Sequence, residues 1–117
     1  MTETAAILKD AQALAQCFQN SGLYRDYCYH KKALENDPLT FAQVKAFKDS
    51  QLKLESKRLR EGSVAFDEEK RLSHQYTDLS LHPIAGAFLA CEYELLELYR
   101  QALDIICEAC DVECGST

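Results

Sequence analysis

Three observations predict an all-α fold of about five helices, a single bundle with a long C-terminal helix. Apolar residues recur at three- and four-residue steps along five stretches, and no stretch alternates with the period of two that a strand requires. Both prolines stand where one stretch gives way to the next. The chain has 117 residues, four glycines and no tryptophan, a composition that leaves a sheet short of turn residues. This length suits one core, so residues 1–117 are expected to form one domain with a short cysteine-bearing tail at 107–117.

The first helix, about 3 to 20, carries Ala6, Ile7, Leu8, Ala11, Leu14, Ala15 and Phe18, and Asn20-Ser21-Gly22 ends it. The second, about 23 to 35, shows Leu23, Tyr24, Tyr27, Cys28 and Leu34, and stops at Asn36-Asp37-Pro38 because the residue before proline avoids the helical region. Asp37 is placed to cap the third helix, with Pro38 at its first position, where a missing N–H costs nothing. That helix runs to about Glu61 through Val44, Phe47, Gln51 and Leu54, and Gly62-Ser63 closes it. A fourth, about 65 to 80, holds Phe66, Leu72, Tyr76 and Leu79, and His82-Pro83 repeats the stop. Leu34-x3-Pro38-Leu39 and Leu79-x3-Pro83-Ile84 form a weak echo 45 residues apart, two similar helix pairs rather than a proven duplication.

The fifth helix is the longest and most regular. Ile84, Phe88, Cys91, Leu95, Leu98, Ala102 and Ile105 form one stripe, and Leu96, Tyr99, Leu103 and Ile106 form another beside it. Two adjoining stripes exceed what one neighbouring helix covers. From Ile84 to Val112 the helix would be about 43 Å long at 1.5 Å per residue. Such a face predicts a homodimer, or a heterodimer with a paralogue, using Phe88, Leu95, Leu98 and Ala102 in part.

A net charge of −6 sets the whole-molecule field against nucleic acid, so direct nucleic-acid binding is not expected. Six of the thirteen basic residues do cluster: Lys45, Lys48, Lys53, Lys57, Arg58 and Arg60. Asp49, Glu55 and Glu61 are interleaved with them, the pattern of a solvated helix face laced with ion pairs. Direct RNA binding through this stretch is the rival reading. No apolar run reaches the roughly 20 residues of a membrane span, and no basic-then-apolar leader opens the chain. The expected compartment is the reducing cytoplasm, where six cysteines need not be disulfides.

The motifs of common enzyme classes are missing: no G-x-G-x-x-G, Walker-type loop, H-E-x-x-H or G-x-S-x-G occurs. His30 and His74 fall at surface positions, and His82 is suited to cap the helix that follows it. Glu68-Glu69 and Glu92/Glu94/Glu97 read as solvated faces. The expectation is a protein without enzymatic activity. Cys17, Cys28 and Cys91 sit at or beside apolar-periodic positions, which favours core packing.

Cys107, Cys110 and Cys114 are different, spaced C-x2-C-x3-C at the chain's end. If the helix runs through them, all three thiols share one face. Three soft ligands hold most of an iron–sulfur or zinc site, which wants four, so a partner ligand would have to complete it. The other reading is that they extend the apolar stripe, since Glu108, Asp111 and Glu113 disfavour thiolates.

The run Leu14-Ala15, Ser21, Tyr24-x2-Tyr27, Leu34-x2-Asp37, then Leu72-x3-Tyr76-x2-Leu79-x2-His82-Pro83-Ile84-x3-Phe88-x3-Glu92-x2-Leu95 resembles the YlbF/YmcA family of bacterial regulators. The resemblance spans about residues 5 to 106, and His82 replaces the family's usual asparagine. It implies a small all-helical protein that dimerises and has no enzymatic activity of its own. It further implies a complex of two such proteins with a third, cysteine-rich one, an adaptor that influences competence, sporulation and biofilm formation. That adaptor assists ribonuclease Y in maturing messenger RNAs and carries iron–sulfur clusters held partly by cysteines near the C-termini of the small subunits. Cys107, Cys110 and Cys114 occupy the matching place here, although the family's tails are longer. The alternative is a metal-free helical dimer whose cysteines pack or sense oxidants.

Overall fold

Five helices and no strand make up the described part of this computed structural model, which covers residues 2–111. They are α1 (Glu3–Gln19), α2 (Gly22–Glu35), α3 (Pro38–Glu61), α4 (Phe66–Leu81) and α5 (Pro83–Ala109). The punctuation works as polar capping chemistry. Thr2 caps α1 by accepting the Ala5 N–H at 3.1 Å. Ser21 Oγ accepts the Tyr24 N–H at 3.2 Å and donates to the Phe18 carbonyl at 2.6 Å, closing α1 and opening α2 with one side chain. Gly62 ends α3 at φ 81°, a left-handed conformation that glycine adopts without steric cost. No side chain caps α4 at Ala65, but Asp67, Glu68 and Glu69 fill its first turn, where the helix dipole favours negative charge.

The chain groups into two compact units. One contains α2 from His30, α3, α4 and α5 as far as Ala90. Its core is Leu34, Val44, Phe47, Leu79, Ala85, Phe88 and Leu89, with the hydroxyl of Thr40 buried among them. The Phe47 and Tyr76 rings lie 5.8 Å apart between α3 and α4. Two ion pairs tie the same helices, Lys57 to Glu68 at 2.7 Å and Arg58 to Glu69 at 2.6 Å. The other unit contains α1, α2 as far as Tyr29, and α5 from Cys91. Leu95 and Cys107 are its buried apolar residues, and the Phe18 and Tyr99 rings meet edge-on at 4.6 Å.

The two proline junctions meet inside the first of these units. Asp37 caps α3 by accepting the Thr40 N–H at 3.3 Å. His82 Nδ1 accepts the N–H groups of Ile84 at 3.1 Å and Ala85 at 3.3 Å, capping α5. Because Nδ1 accepts, Nε2 carries the proton, and it donates to Thr40 Oγ1 at 3.4 Å. Removing the Asp37 cap with alanine should cost about 0.5–2 kcal/mol, and His82→Ala about 2 kcal/mol because buried Thr40 also loses its partner. His82→Asn keeps an acceptor for α5 and should recover most of that loss. Urea midpoints of the three variants check this, and unchanged midpoints for both alanines would mean that packing alone holds these helix starts.

The C-terminal end of α5 departs from expectation. The helix stops at Ala109 rather than running to Val112, and Asp111 takes a left-handed backbone at φ 52°. Acidic residues near a helix C-terminus oppose its dipole, and Glu108 and Asp111 flank this end without a basic residue in the last turn.

Candidate functional site

Two regions concentrate the chemistry that the sequence singles out: the C-terminal half of α5 with α1, and the end of α5 with its cysteines. On α5, the first stripe turns inward as far as Ala102, and Ile105 at its end is exposed. Phe88 is buried, with the Lys48 ammonium 5.8 Å from its ring centroid, and Leu95 is also buried. Leu98 and Ala102 are half-buried and line a groove of about 280 Å³ with Leu14, Phe18, Ser21 and Ile105. The neighbouring stripe is the one presented to solvent: Leu96, Tyr99, Leu103 and Ile106 are 40–53% exposed. On α1 no residue is fully buried, and Ile7, Leu8 and Leu14 are exposed. The outward apolar face is therefore built from α1 and the second stripe of α5, while Phe88 and Leu95 serve the interior.

Of the three terminal cysteines, Cys107 and Cys110 are among the described residues, and they differ in setting. Cys107 lies on α5, buried and disulfide-bonded, so a metal or cluster could engage its sulfur only after reduction. Cys110 is free, exposed and just past the helix end, and its N–H bonds the Ile106 carbonyl at 3.2 Å. Cys114 lies outside the described residues. Among those residues no group of three or more His, Cys, Asp or Glu side chains converges as a metal site.

The remaining cysteines depart from the core-packing expectation. Cys17 and Cys28 are exposed, Cys17 in the lining of the groove that Leu14 and Phe18 form with Leu98 and Ala102. The Tyr24 hydroxyl is pushed above its ordinary range chiefly by its hydrogen bond with Cys28. Cys91 is half-buried, and desolvation, then the nearby Asp26 and Glu94 carboxylates, pushes its thiol up. A thiol held neutral is a poor nucleophile. His82 has both ring nitrogens committed to the α5 start and Thr40, and His74 is exposed.

The basic stretch on α3 is partly consumed by pairing. Arg58 bridges to Glu55 within α3 at 3.0 Å and to Glu69 on α4, while Lys57, its pKa raised chiefly by hydrogen bonding to Glu68, pairs across the same groove. Further along, Arg100 on α5 pairs with Glu97 and, at 2.8 Å, with Asp104, which holds Glu97 below the usual carboxylate range. These exposed pairs fix helix faces more than they add stability. Among the described residues, no helix is long and apolar enough to cross a membrane.

The described residues thus form a small all-helical chain with an apolar helix face turned outward and side-chain caps at every helix junction but that between α3 and α4. This chain belongs to the YlbF/YmcA family, described as control of the competence regulator ComK, whose pattern matches residues 7–110. It is similar to a UPF0342 protein of Desulfitobacterium hafniense, 27% identical over 104 residues, covering 89% of this chain and 84% of that one. A UPF0342 protein of Caldicellulosiruptor saccharolyticus is 30% identical over 103 residues, covering 88% of this chain and 86% of that one. No solved structure matches.

Proposed function

We propose that this chain is a non-enzymatic, cytoplasmic regulatory adaptor that acts through its helix faces, paired with a second copy or a small helical paralogue. The observation that carries this reading is the outward stripe Leu96, Tyr99, Leu103 and Ile106 beside an α1 with no fully buried residue. Apolar area of that kind on a folded chain marks an interaction surface. The family's description as a control of a regulator supports the adaptor role. In the finer reading, which rests on the resemblance, the partners include a cysteine-rich third protein and ribonuclease Y, and the complex assists messenger RNA processing.

Reduced Cys107, Cys110 and Cys114 would then supply three thiolates to an iron–sulfur cluster, or to zinc, and a partner cysteine the fourth ligand. The alternative is a metal-free dimer whose cysteines pack or sense oxidants. Anaerobic reconstitution of the reduced chain with its co-purified partner separates the two. Iron, sulfide or zinc should be bound by the wild type and lost from Cys107→Ser/Cys110→Ser/Cys114→Ser, with the isolated chain loading substoichiometrically. Replacing Cys17, Cys28 or Cys91 with alanine should leave the metal in place. Equal metal in wild type and triple variant, or none in either, leaves the metal-free reading.

A further inference from the structure

The net charge of −6 conceals an uneven distribution. From His30 to Ala90, ten lysines and arginines stand against nine aspartates and glutamates, while the rest of the chain carries three against ten. The repulsion of anions thus belongs to the unit of α1 and late α5, and the α3–α4 unit can hold a local positive site.

Such a site opens between α3 and α4. A cleft of about 330 Å³ is lined by Lys53, Lys57 and Ser50 from α3 and by Arg71, Gln75 and Glu68 from α4, over a floor of Leu54 and Leu72. Glu68 is the one anion in the lining, and Lys57 neutralises it at 2.7 Å. Among the described residues neither Lys53 nor Arg71 is in an ion pair. Two uncompensated cations, a hydroxyl and an amide therefore share one concave surface with apolar walls. That set matches the oxygens of a phosphate group, which takes charge-assisted hydrogen bonds best where water is partly excluded.

Gln75 also lines a second cleft, again about 330 Å³, together with Gln43 and Asp78 over Ala46, Phe47 and Leu79. Here donors and acceptors stand above an apolar floor, which suits a flat heterocycle with hydrogen-bonding edges. The two clefts are centred seven to eight residues apart along each helix, about 11 Å at 1.5 Å per residue. A nucleoside mono- or diphosphate spans that length. We propose that the α3–α4 groove binds a nucleotide unit, its phosphate between Lys53 and Arg71 and its base against Gln43, Gln75 and Asp78.

The test uses the full chain at low ionic strength with three probes: pyrophosphate, ADP, and a fluorescein-labelled ten-residue single-stranded RNA. ADP should bind, and Lys53→Gln/Arg71→Gln should weaken it by roughly tenfold or more, with a shallower salt dependence. Glu68→Gln removes the carboxylate of the phosphate cleft and releases Lys57, so it should tighten binding severalfold, an effect that misfolding cannot imitate. Lys9→Gln on α1 should change nothing. Binding of RNA without ADP would assign the nucleotide to a strand, and binding of both to a free or strand-borne unit alike. No binding of either at millimolar concentration, or equal affinity in the double variant, overturns the proposal. Pyrophosphate binding as tightly as ADP overturns the assignment of the second cleft to the base.

Discussion

Replacing Gly86 with alanine is expected to destabilise the chain by about 3 kcal/mol, the upper end of the overpacking range. A Cβ there would collide with the Ser80 carbonyl oxygen and sit 3.1 Å from its carbon, both backbone atoms at the end of α4. The single residue between α4 and α5, His82, allows no slack for the backbones to separate, since its carbonyl and ring are bonded into the first turn of α5. Gly22→Ala is the matched control. Its Cβ would meet only the Arg25 guanidinium at 3.9 Å, so stability should hold or rise by about 0.4–1 kcal/mol. Urea unfolding of both variants checks the pair, and a Gly86→Ala midpoint equal to wild type would show that α4 and α5 shift apart freely.

For a chain that pairs through the outward stripe of α5, as proposed, placing glutamate at Leu103, alone or with Leu96→Glu, is expected to convert the pair to monomer. Both side chains are about half exposed within the chain, so the substitutions leave its own core untouched. Truncation of central interface residues costs about 2 kcal/mol or more each, and two buried carboxylates facing their copies add desolvation and repulsion. The double variant should weaken association by roughly a hundredfold or more while circular dichroism stays helical. Light scattering at micromolar concentration reads the mass. An unchanged dimer in the double variant would move the interface off this stripe, and a monomeric wild type with no paralogue to pair with would remove it.

Much of the fold was legible in the sequence because its punctuation is chemical. Asp37-Pro38, His82-Pro83 and Gly62 name their helix boundaries through caps and a left-handed stop, and each boundary falls within a residue of its expected place. The end of α5 was not legible, since no proline or glycine stands near Ala109. Periodicity also identifies residues that share a face without saying which face lies inside. Leu95 and Leu96 are neighbours in sequence, yet one is buried and the other half exposed. The cross-helix pairs Lys57–Glu68 and Arg58–Glu69 each join residues eleven apart, a spacing set by the turn between helices and not by helical repeat. Gly86 was the missed residue. A glycine inside the most regular apolar helix is a local cost, and that cost was the available signal of close backbone approach.

The hydrogen bond between Thr40 and His82 makes the chain a mechanical shortcut. It joins residues 42 positions apart, so the α3–α4 hairpin leaves and rejoins the chain at nearly one point. Tension arriving through α2 and leaving through α5 crosses that bond and the caps around it, and the far end of the hairpin, beyond its packed root, lies off that path. A branch closed at its root can change length by whole helical turns without displacing the elements on either side, because its ends stay together. Asp37, Thr40 and His82 then govern more than two helix starts. They fix the root from which the groove-bearing hairpin extends.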